Sequence, residues 1–164
     1  MVEYIMPSST LLMADDDPED CLLTQNAWEE SGSPHQIRFV RDRAQLLDDL
    51  HRRGKYANTH EYPLPSIIFL DLHMPKRSGL EVLQEMRTGG EFRHIPVVVF
   101  THSLHEEDTC RTYALGTNVC LTKPRSTQDY HFLINTLSQS WSNMLHPPSS
   151  STKDVGCHPT RSWM

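Results

Sequence analysis

Residues 66–75 read SIIFLDLHMP, and in this stretch the single acid Asp71 ends a run of four apolar residues, Ile67 to Leu70. A continuous apolar run of this length is typical of a strand that is buried on both faces of a sheet. His73 follows the acid by two residues. The stretch raises two questions: why a carboxylate ends a buried strand, and whether His73 shares its function.

Four other short segments also predict strands, three of them mostly apolar and one, residues 36–40, alternating, and a helical pattern follows each of the five. The predicted strands cover residues 10–14, 36–40, 67–70, 97–100 and 119–122. The predicted helices begin near Pro18, Asp42, Gly79, His105 and Gln128. Strands that alternate with helices indicate an α/β fold, in which helices cover both faces of a parallel sheet. The polar stretch 55–65 is predicted to be an exposed loop.

Composition and charge disfavour several classes of protein. The chain of 164 residues has the length of one ordinary domain. Its formal charge is −6, with 21 acids, 15 bases and no basic cluster, which disfavours nucleic-acid binding. No leader-like N-terminus is present, and no apolar run approaches the roughly 18 residues that a membrane span needs. We therefore expect a soluble cytoplasmic protein, with a disordered tail at residues 146–164.

Polar residues of chemical interest stand where the predicted strands end. In a parallel sheet the carboxyl ends of the strands meet at one edge, and the functional crevice lies beyond that edge. Asp17 is interpreted only as a helix cap, because Pro18 follows it at a first helical position. The other polar residues at strand ends are Asp15, Asp16, Asp71, Thr101 and Lys123. We expect these five side chains to lie close together.

These residue types suit the chemistry of magnesium and phosphate. Carboxylates held close together repel one another unless a hard divalent cation lies between them, and magnesium prefers oxygen ligands. The ammonium of Lys123 can pair with one phosphoryl oxygen, and the hydroxyl of Thr101 can donate to another. Asp71 is positioned to attack phosphorus and become an acyl phosphate.

His73 has two separate candidate roles. Its imidazole would need histidine or cysteine partners to bind a soft metal, and none stands at a strand end in a recognisable ligand spacing. Its backbone carbonyl lies just past the strand end, and we interpret that carbonyl as a candidate oxygen ligand of magnesium.

Four motifs together resemble the receiver domain of two-component response regulators. They are LLMADDDPED at the first strand end, IIFLDLHMPKRSGLEVL around Asp71, VVVFTHS after the fourth strand and LTKP after the fifth. The resemblance covers residues 9–145. The loop before the third strand, the stretch FRHIPVVVFT and the final SQSW look like the stand-alone regulators of bacterial phytochrome histidine kinases. The resemblance implies a flavodoxin-like, doubly wound parallel sheet of order 2-1-3-4-5 with five flanking helices.

The resemblance also implies a role for each strand-end residue. Asp71 would be the phosphoacceptor, and Thr101 and Lys123 would bind the phosphoryl group. The Mg²⁺ ligands would be Asp15, Asp16, Asp71 and the backbone carbonyl of His73. The peptide bond between Lys123 and Pro124 would be cis, as is common in the family.

Two positions depart from the family pattern. The family usually has a small residue after the conserved Thr, where this chain has His102. His102 could narrow the approach to the acyl phosphate, which predicts slow dephosphorylation. The family usually has an aromatic residue three before the conserved Lys, where this chain has Cys120. Cys120 cannot act as a ring that swings inward behind Thr101, so we expect a weak switch or one carried by the fourth strand and the next helix.

These observations indicate a phosphorylation switch. A sensor histidine kinase, a phytochrome on the narrower resemblance, would donate its phosphoryl group to Asp71 in a Mg²⁺-dependent reaction. The protein would be a phosphoacceptor with some intrinsic dephosphorylation, not an enzyme. Because only the predicted tail follows the receiver, output through protein contacts is expected.

The last helix and the fifth strand offer one such contact, a homodimer. The helix carries an apolar stripe of Tyr130, Leu133, Ile134, Leu137 and Trp141. The same stripe could instead pack only on its own sheet, which is favoured more for Leu133 and Leu137 than for Tyr130 and Trp141.

Two alternative functions remain open at this point. An aspartate-nucleophile Mg²⁺ phosphohydrolase also uses a strand-end Asp, a Thr and a Lys. Such enzymes need a second acid two residues after the nucleophile, where this chain has His73, and they place the nucleophile on the first strand. A degenerate receiver that is never phosphorylated and only binds partners is the other alternative.

Overall fold

The structure, a computed structural model, describes residues 9–102, 105–117 and 119–140. Five strands and five α-helices alternate along this part of the chain. They are β1 (Thr10–Ala14), α1 (Pro18–Glu30), β2 (Gln36–Val40), α2 (Arg43–Leu50), β3 (Ile67–Leu70), α3 (Ser78–Thr88), β4 (Val97–Thr101), α4 (Glu106–Ala114), β5 (Val119–Thr122) and α5 (Thr127–Gln139). Two short 3₁₀ helices cover Gly54–Ala57 and Pro75–Arg77. The predicted alternation is confirmed.

The sheet has the order β2-β1-β3-β4-β5, and every neighbouring pair is parallel. The chain therefore starts near the middle of the sheet and winds outward in both directions, which confirms the doubly wound fold. All residues of β1, β3 and β4 are buried, as expected for central strands with helices on both faces. No helix among the described residues is both long and apolar enough to cross a membrane.

Side chains that alternate along the strands enter two separate cores. In β3, Ile68 and Leu70 face one core, whereas Ile67 and Phe69 face the other. The helices supply Leu46, Leu50, Val82, Leu83 and Met86 to the first core. They supply Ala27, Trp28, Tyr130 and Ile134 to the second. The helices are thus held on both faces, and the carboxyl ends of the strands are left at one edge.

The apolar stripe of α5 packs on its own sheet. Tyr130 and Ile134 are buried, and Leu133 and Leu137 pack against the same core. The sequence favours packing on the chain's own sheet more for Leu133 and Leu137 than for Tyr130. The structure reverses that order, because Tyr130 is buried and its hydroxyl lies 2.6 Å from Oγ1 of Thr24. Residue 141 and the predicted tail at 146–164 lie outside the described residues.

Capping residues set the starts of the first two helices, as the sequence predicts. The Asp17 carboxylate accepts a hydrogen bond from the backbone N–H of Glu19 at 2.9 Å, so Asp17 is the N-cap of α1. The Asp42 carboxylate accepts from the N–H of Gln45 at 2.8 Å and caps α2. Each bond satisfies a backbone donor that the first helical turn leaves unpaired.

The segment 55–65 is only partly the exposed loop that its composition predicts. Tyr56 is buried, and its ring packs edge-on against Tyr62 at 5.0 Å between centroids. The Arg38 guanidinium donates to both carboxylate oxygens of Asp49, at 2.8 and 2.7 Å, and to the carbonyl of Pro63 at 2.9 Å. Two aromatic anchors and one arginine therefore hold a mostly polar segment against the domain.

Gly79 allows the start of α3 to lie directly against the end of β3. A Cβ atom at this position would lie 2.7 Å from Cα of Leu72 and 3.0 Å from the carbonyl carbon of Asp71. Both are backbone atoms that cannot rotate away. We expect Gly79→Ala to lower the free energy of unfolding by about 1–3 kcal/mol, as overpacking does elsewhere.

Urea unfolding measures this effect, and Gly89→Ala is the matched control. At Gly89 the nearest atom to an added Cβ is the carbonyl oxygen of Glu85 at 3.4 Å, so the same substitution should change stability by about 0.5 kcal/mol or less. Equal stability of the two variants would contradict the steric role of Gly79.

Candidate functional site

The structure brings the predicted strand-end residues together at the carboxyl edge of the sheet. Carboxylate oxygens of Asp15, Asp16 and Asp71 all lie within 4.8 Å of one another. Asp15 and Asp71 are buried, and Asp16 is exposed at the mouth of the cluster. Clustered oxygen donors of this kind suit a hard divalent cation that keeps some of its waters.

Lys123 is the buried cation of this cluster. Its ammonium donates to Oδ2 of Asp15, to Oδ2 of Asp71 at 3.1 Å and to Oδ2 of Asp20 at 2.9 Å. Burial alone would lower the pKa of Lys123, but the carboxylates of Asp15 and Asp71 outweigh burial and hold that pKa above its usual range. Lys123 is therefore charged and is shared among three acids.

The peptide bond between Lys123 and Pro124 is trans, in contrast to the cis bond that the family resemblance implies. The two isomers of a bond before proline differ by only about 0.5–1 kcal/mol in an unconstrained chain, so a sequence pattern alone does not select one of them.

Thr101 ends β4 beside the same cluster. Its Oγ1 atom is buried and has no hydrogen-bond partner among the described residues. A buried hydroxyl without a partner costs about 1–3 kcal/mol, so it is rare, and binding of a further group would satisfy it. A phosphoryl oxygen is a suitable acceptor for this hydroxyl.

Asp71 is oriented by the backbone that follows it. The N–H of His73 donates to Oδ1 of Asp71 at 2.9 Å, while Oδ2 of Asp71 accepts from Lys123. The His73 ring lies against the ring of His105, with 6.3 Å between their centroids. Among the described residues, the His73 imidazole belongs to neither cluster of three side chains that could hold a metal. The role of its backbone carbonyl as a ligand stays a prediction.

Asp20 is the residue of this site that sequence reasoning missed. Its position in the first turn of α1 was consistent with a solvated helix-start acid, yet its side chain is only 7% exposed. Its carboxylate contacts both Lys123 and His102. No local sequence signal marked Asp20, because its burial beside Thr24 and Ala27 on one face of α1 is seen only in the fold.

His102 points toward α1. Its Nε2 lies 2.7 Å from Oδ2 of Asp20, and half of its side chain is exposed. The predicted slowing of dephosphorylation by this imidazole stays a prediction, with Asp20 now identified as the partner that holds the ring.

Cys120 lies on β5, and its thiol is tied to α4. Its Sγ lies 3.0 Å from Oγ1 of Thr112, and burial raises the pKa of the thiol. The contact joins the fifth strand to the helix before it. Because position 120 has no aromatic residue, the sequence suggests a conformational switch carried by β4 and α4. That role stays a prediction.

Burial raises the pKa of Asp15 to about 6, although the nearby Lys123 ammonium acts in the opposite direction. The unfolded chain loses this proton near pH 3.9, whereas the folded protein retains it to about pH 6. Without a metal ion, the contribution of Asp15 to stability therefore falls as pH rises from about 4 to about 6.

The affinity for a divalent cation such as Mg²⁺ is accordingly expected to increase as pH rises from about 5 to about 7, because an ion bound at Asp15 would have to displace the proton at the lower pH. Titration calorimetry at both pH values measures this change. Asp15→Asn should bind Mg²⁺ more weakly and with less dependence on pH. An affinity of the unaltered protein that does not change between these pH values would contradict competition at Asp15.

Comparisons with known proteins identify relatives of the chain. The family model described as the response regulator receiver domain matches residues 11–135. Response regulator Rcp1 of Synechocystis sp. is 32% identical over 144 residues, which are 88% of this chain and 96% of Rcp1.

Two solved structures are similar over most of their length. The Mn²⁺-bound form of response regulator Rcp1 has a TM-score of 0.73 at 32% identity and covers 81% of this chain and 94% of its own. The phosphorylated cyanobacterial phytochrome response regulator RcpA has a TM-score of 0.75 at 31% identity and covers 83% of this chain and 95% of its own.

Proposed function

The chain belongs to the response regulator receiver domain family, and on that premise we propose that Asp71 accepts a phosphoryl group from a sensor histidine kinase in a Mg²⁺-dependent reaction. One observation carries the proposal. The ammonium of Lys123 lies 3.1 Å from the Asp71 carboxylate, at an edge where the buried hydroxyl of Thr101 has no partner among the described residues. A positively charged ammonium and a hydroxyl that can donate a hydrogen bond therefore lie beside one acid.

The donor set supports a hard cation as the cofactor. Asp15, Asp16 and Asp71 would hold Mg²⁺, and the backbone carbonyl of His73 would supply a further oxygen. When bound, the ion supplies positive charge that offsets the charge of the phosphoryl oxygens. The Mn²⁺-bound form of Rcp1 is a metal complex of a relative and supports the same assignment.

The residues of this chain then have distinct tasks. A carboxylate oxygen of Asp71 forms a bond to phosphorus as the bond from phosphorus to the donor breaks, which yields an acyl phosphate. Lys123 would turn part of its hydrogen bonding from Asp71 to a phosphoryl oxygen, and the Thr101 hydroxyl would donate to another. Thr101 ends β4 and Lys123 directly follows β5, so their movement would alter the surface formed by β4, α4 and β5.

Names of the relatives support the choice of partners. RcpA is a cyanobacterial phytochrome response regulator, and the bacteriophytochrome response regulator RtBRR is 38% identical with a TM-score of 0.65. We therefore propose a phytochrome-type histidine kinase in the cytoplasm as the phosphodonor and a protein contact as the output. The chain acts as phosphoacceptor, with intrinsic hydrolysis of its own acyl phosphate.

A homodimer through α5 and β5 is part of the proposal. Phe132 on α5 is 72% exposed, and Val119 and Leu121 on the edge strand β5 are half-buried. We expect acetyl phosphate with Mg²⁺ to raise the dimer fraction in sedimentation velocity, and Phe132→Glu to abolish that rise. The matched control is Leu22→Glu on α1, whose side chain is also exposed but lies outside the proposed interface. An equal loss of dimer in both variants would contradict this location.

Phosphorylation itself is tested with acetyl phosphate and Mg²⁺, followed by intact-mass measurement. The expected result is one added phosphoryl group per chain, and none when a chelator removes the metal. Sustained release of phosphate from small phosphate esters would instead indicate the aspartate-nucleophile phosphohydrolase. A chain that remains unmodified would indicate a degenerate receiver that acts as a binding module.

A further inference from the structure

One carboxylate oxygen of Asp20 has two positively polarised partners. Oδ2 of Asp20 lies 2.9 Å from Nζ of Lys123 and 2.7 Å from Nε2 of His102. Asp20 and Lys123 are buried, whereas the His102 side chain is half exposed. The two donors therefore share one acceptor, and a change in one contact affects the other.

Asp20 is also fixed in place by the helix that carries it. The Thr24 hydroxyl donates to the backbone carbonyl of Asp20 at 2.8 Å, and the Tyr130 hydroxyl donates to the same carbonyl at 3.3 Å. The first bond lies within α1, and the second ties the first turn of α1 to α5. The backbone of Asp20 is thus held by the scaffold, and Lys123 reaches the Asp20 carboxylate through a long side chain.

We propose that Asp20 is a positioning residue that competes with the incoming phosphoryl group for Lys123, and that His102 weakens this competition by binding the same oxygen of Asp20. This inference rests on the proposed function, since it concerns the phosphoryl group received at Asp71. The carboxylate of Asp20 touches neither phosphorus nor Asp71 in this role, and it acts only through Lys123.

Charge gives the direction of the effect. A phosphoryl group adds negative charge beside Asp71, and the fixed carboxylate of Asp20 both repels that charge and retains part of the Lys123 ammonium. Removing the charge of Asp20 should therefore favour binding of the phosphodonor. Removing the imidazole of His102 should leave Lys123 as the main partner of Asp20. Binding of the phosphodonor should then be weaker.

The experiment measures the rate of phosphorylation against acetyl phosphate concentration at saturating Mg²⁺. We expect Asp20→Asn to lower the half-saturating concentration by about three- to tenfold with the maximal rate changed less than about twofold. His102→Ala should raise the half-saturating concentration by about two- to fivefold. In the Asp20→Asn background the same His102→Ala change should have little effect, because the negative charge that competes for Lys123 is already gone.

Glu19→Gln is the matched control, because it removes one negative charge from the same helical turn at an exposed position. The proposal is overturned if Asp20→Asn behaves as Glu19→Gln does, or if His102→Ala has the same effect with and without Asp20. The His102→Ala variant keeps the test decisive even if Asp20→Asn does not fold, because an unchanged half-saturating concentration in it also overturns the proposal. Failure of the unaltered protein to take up phosphate would instead refute the proposed function.

Discussion

Asp71→Ala is expected to abolish phosphorylation by acetyl phosphate completely, while the unaltered protein gains one phosphoryl group in the presence of Mg²⁺. The reason is chemical, because alanine has no oxygen that can bond to phosphorus. The Asp71 carboxylate is also the one that receives both the N–H of His73 and the ammonium of Lys123. Intact-mass measurement of both proteins after the same incubation gives the result directly.

Asp17→Asn is the control for this substitution. Asp17 follows directly on the acidic pair Asp15 and Asp16, yet its carboxylate caps α1, and asparagine caps a helix equally well. We expect this variant to be phosphorylated to the same extent as the unaltered protein. If Asp71→Ala still gained a phosphoryl group, the acceptor would be another residue, and the assignment of Asp71 as the phosphoacceptor would be wrong.

Lys123→Met is expected to lower the free energy of unfolding by about 3–5 kcal/mol near pH 7 in the absence of Mg²⁺, because it leaves buried carboxylates without their cation. Those carboxylates belong to Asp15, Asp20 and Asp71. Methionine is an unbranched side chain only one atom shorter than lysine, so lost charge accounts for most of the effect.

Acid and metal should each reverse part of this loss. Burial already raises the pKa of Asp15 to about 6, and without the Lys123 ammonium the proton would be held more firmly still. The folded variant then binds more protons than its unfolded chain, so its stability should rise as pH falls from about 7 to about 5. Saturating Mg²⁺ should restore stability near pH 7.

Urea unfolding at two pH values, with and without Mg²⁺, measures these effects. Lys55→Met is the matched control, since Lys55 is exposed and lies over the ring of Tyr56 at 5.1 Å, away from the strand-end acids. We expect a change of about 1 kcal/mol or less in that variant. A Lys123→Met protein as stable as the Lys55 variant near pH 7 would refute the charge-compensating role of Lys123.

Local sequence signals account for most of the elements. The bounds of β2 and β5 match the predicted 36–40 and 119–122, because short apolar or alternating runs between turn residues have few other ways to be buried. Asp17 caps α1 as predicted, and Asp42, where a helix was predicted to start, caps α2, since capping needs only residues two or three positions apart. The segment 55–65 was the exception, because burial of Tyr56 depends on Tyr62 and on a distant core.

Much of the site was predicted from the expectation that polar residues at the carboxyl ends of parallel strands lie together. Asp15, Asp71, Thr101 and Lys123 are buried at one edge because a parallel sheet brings the carboxyl ends of its strands together whatever the loops contain. The same expectation could not identify Asp20, which lies on a helix and reaches the site from the side.

The sequence by itself determined the alternation of strands and helices, the helix caps and the set of acids, hydroxyl and ammonium at the strand ends, because each depends on residues that are near one another in the chain. Only the tertiary structure decided that Asp20 meets Lys123 across 103 positions and His102 across 82. Contacts at such separations depend on how α1 packs beside the ends of β4 and β5, and no local pattern encodes that packing. From the sequence alone, His102 is only an unusual residue after Thr101. In the fold it contacts Asp20, the acid that also binds Lys123.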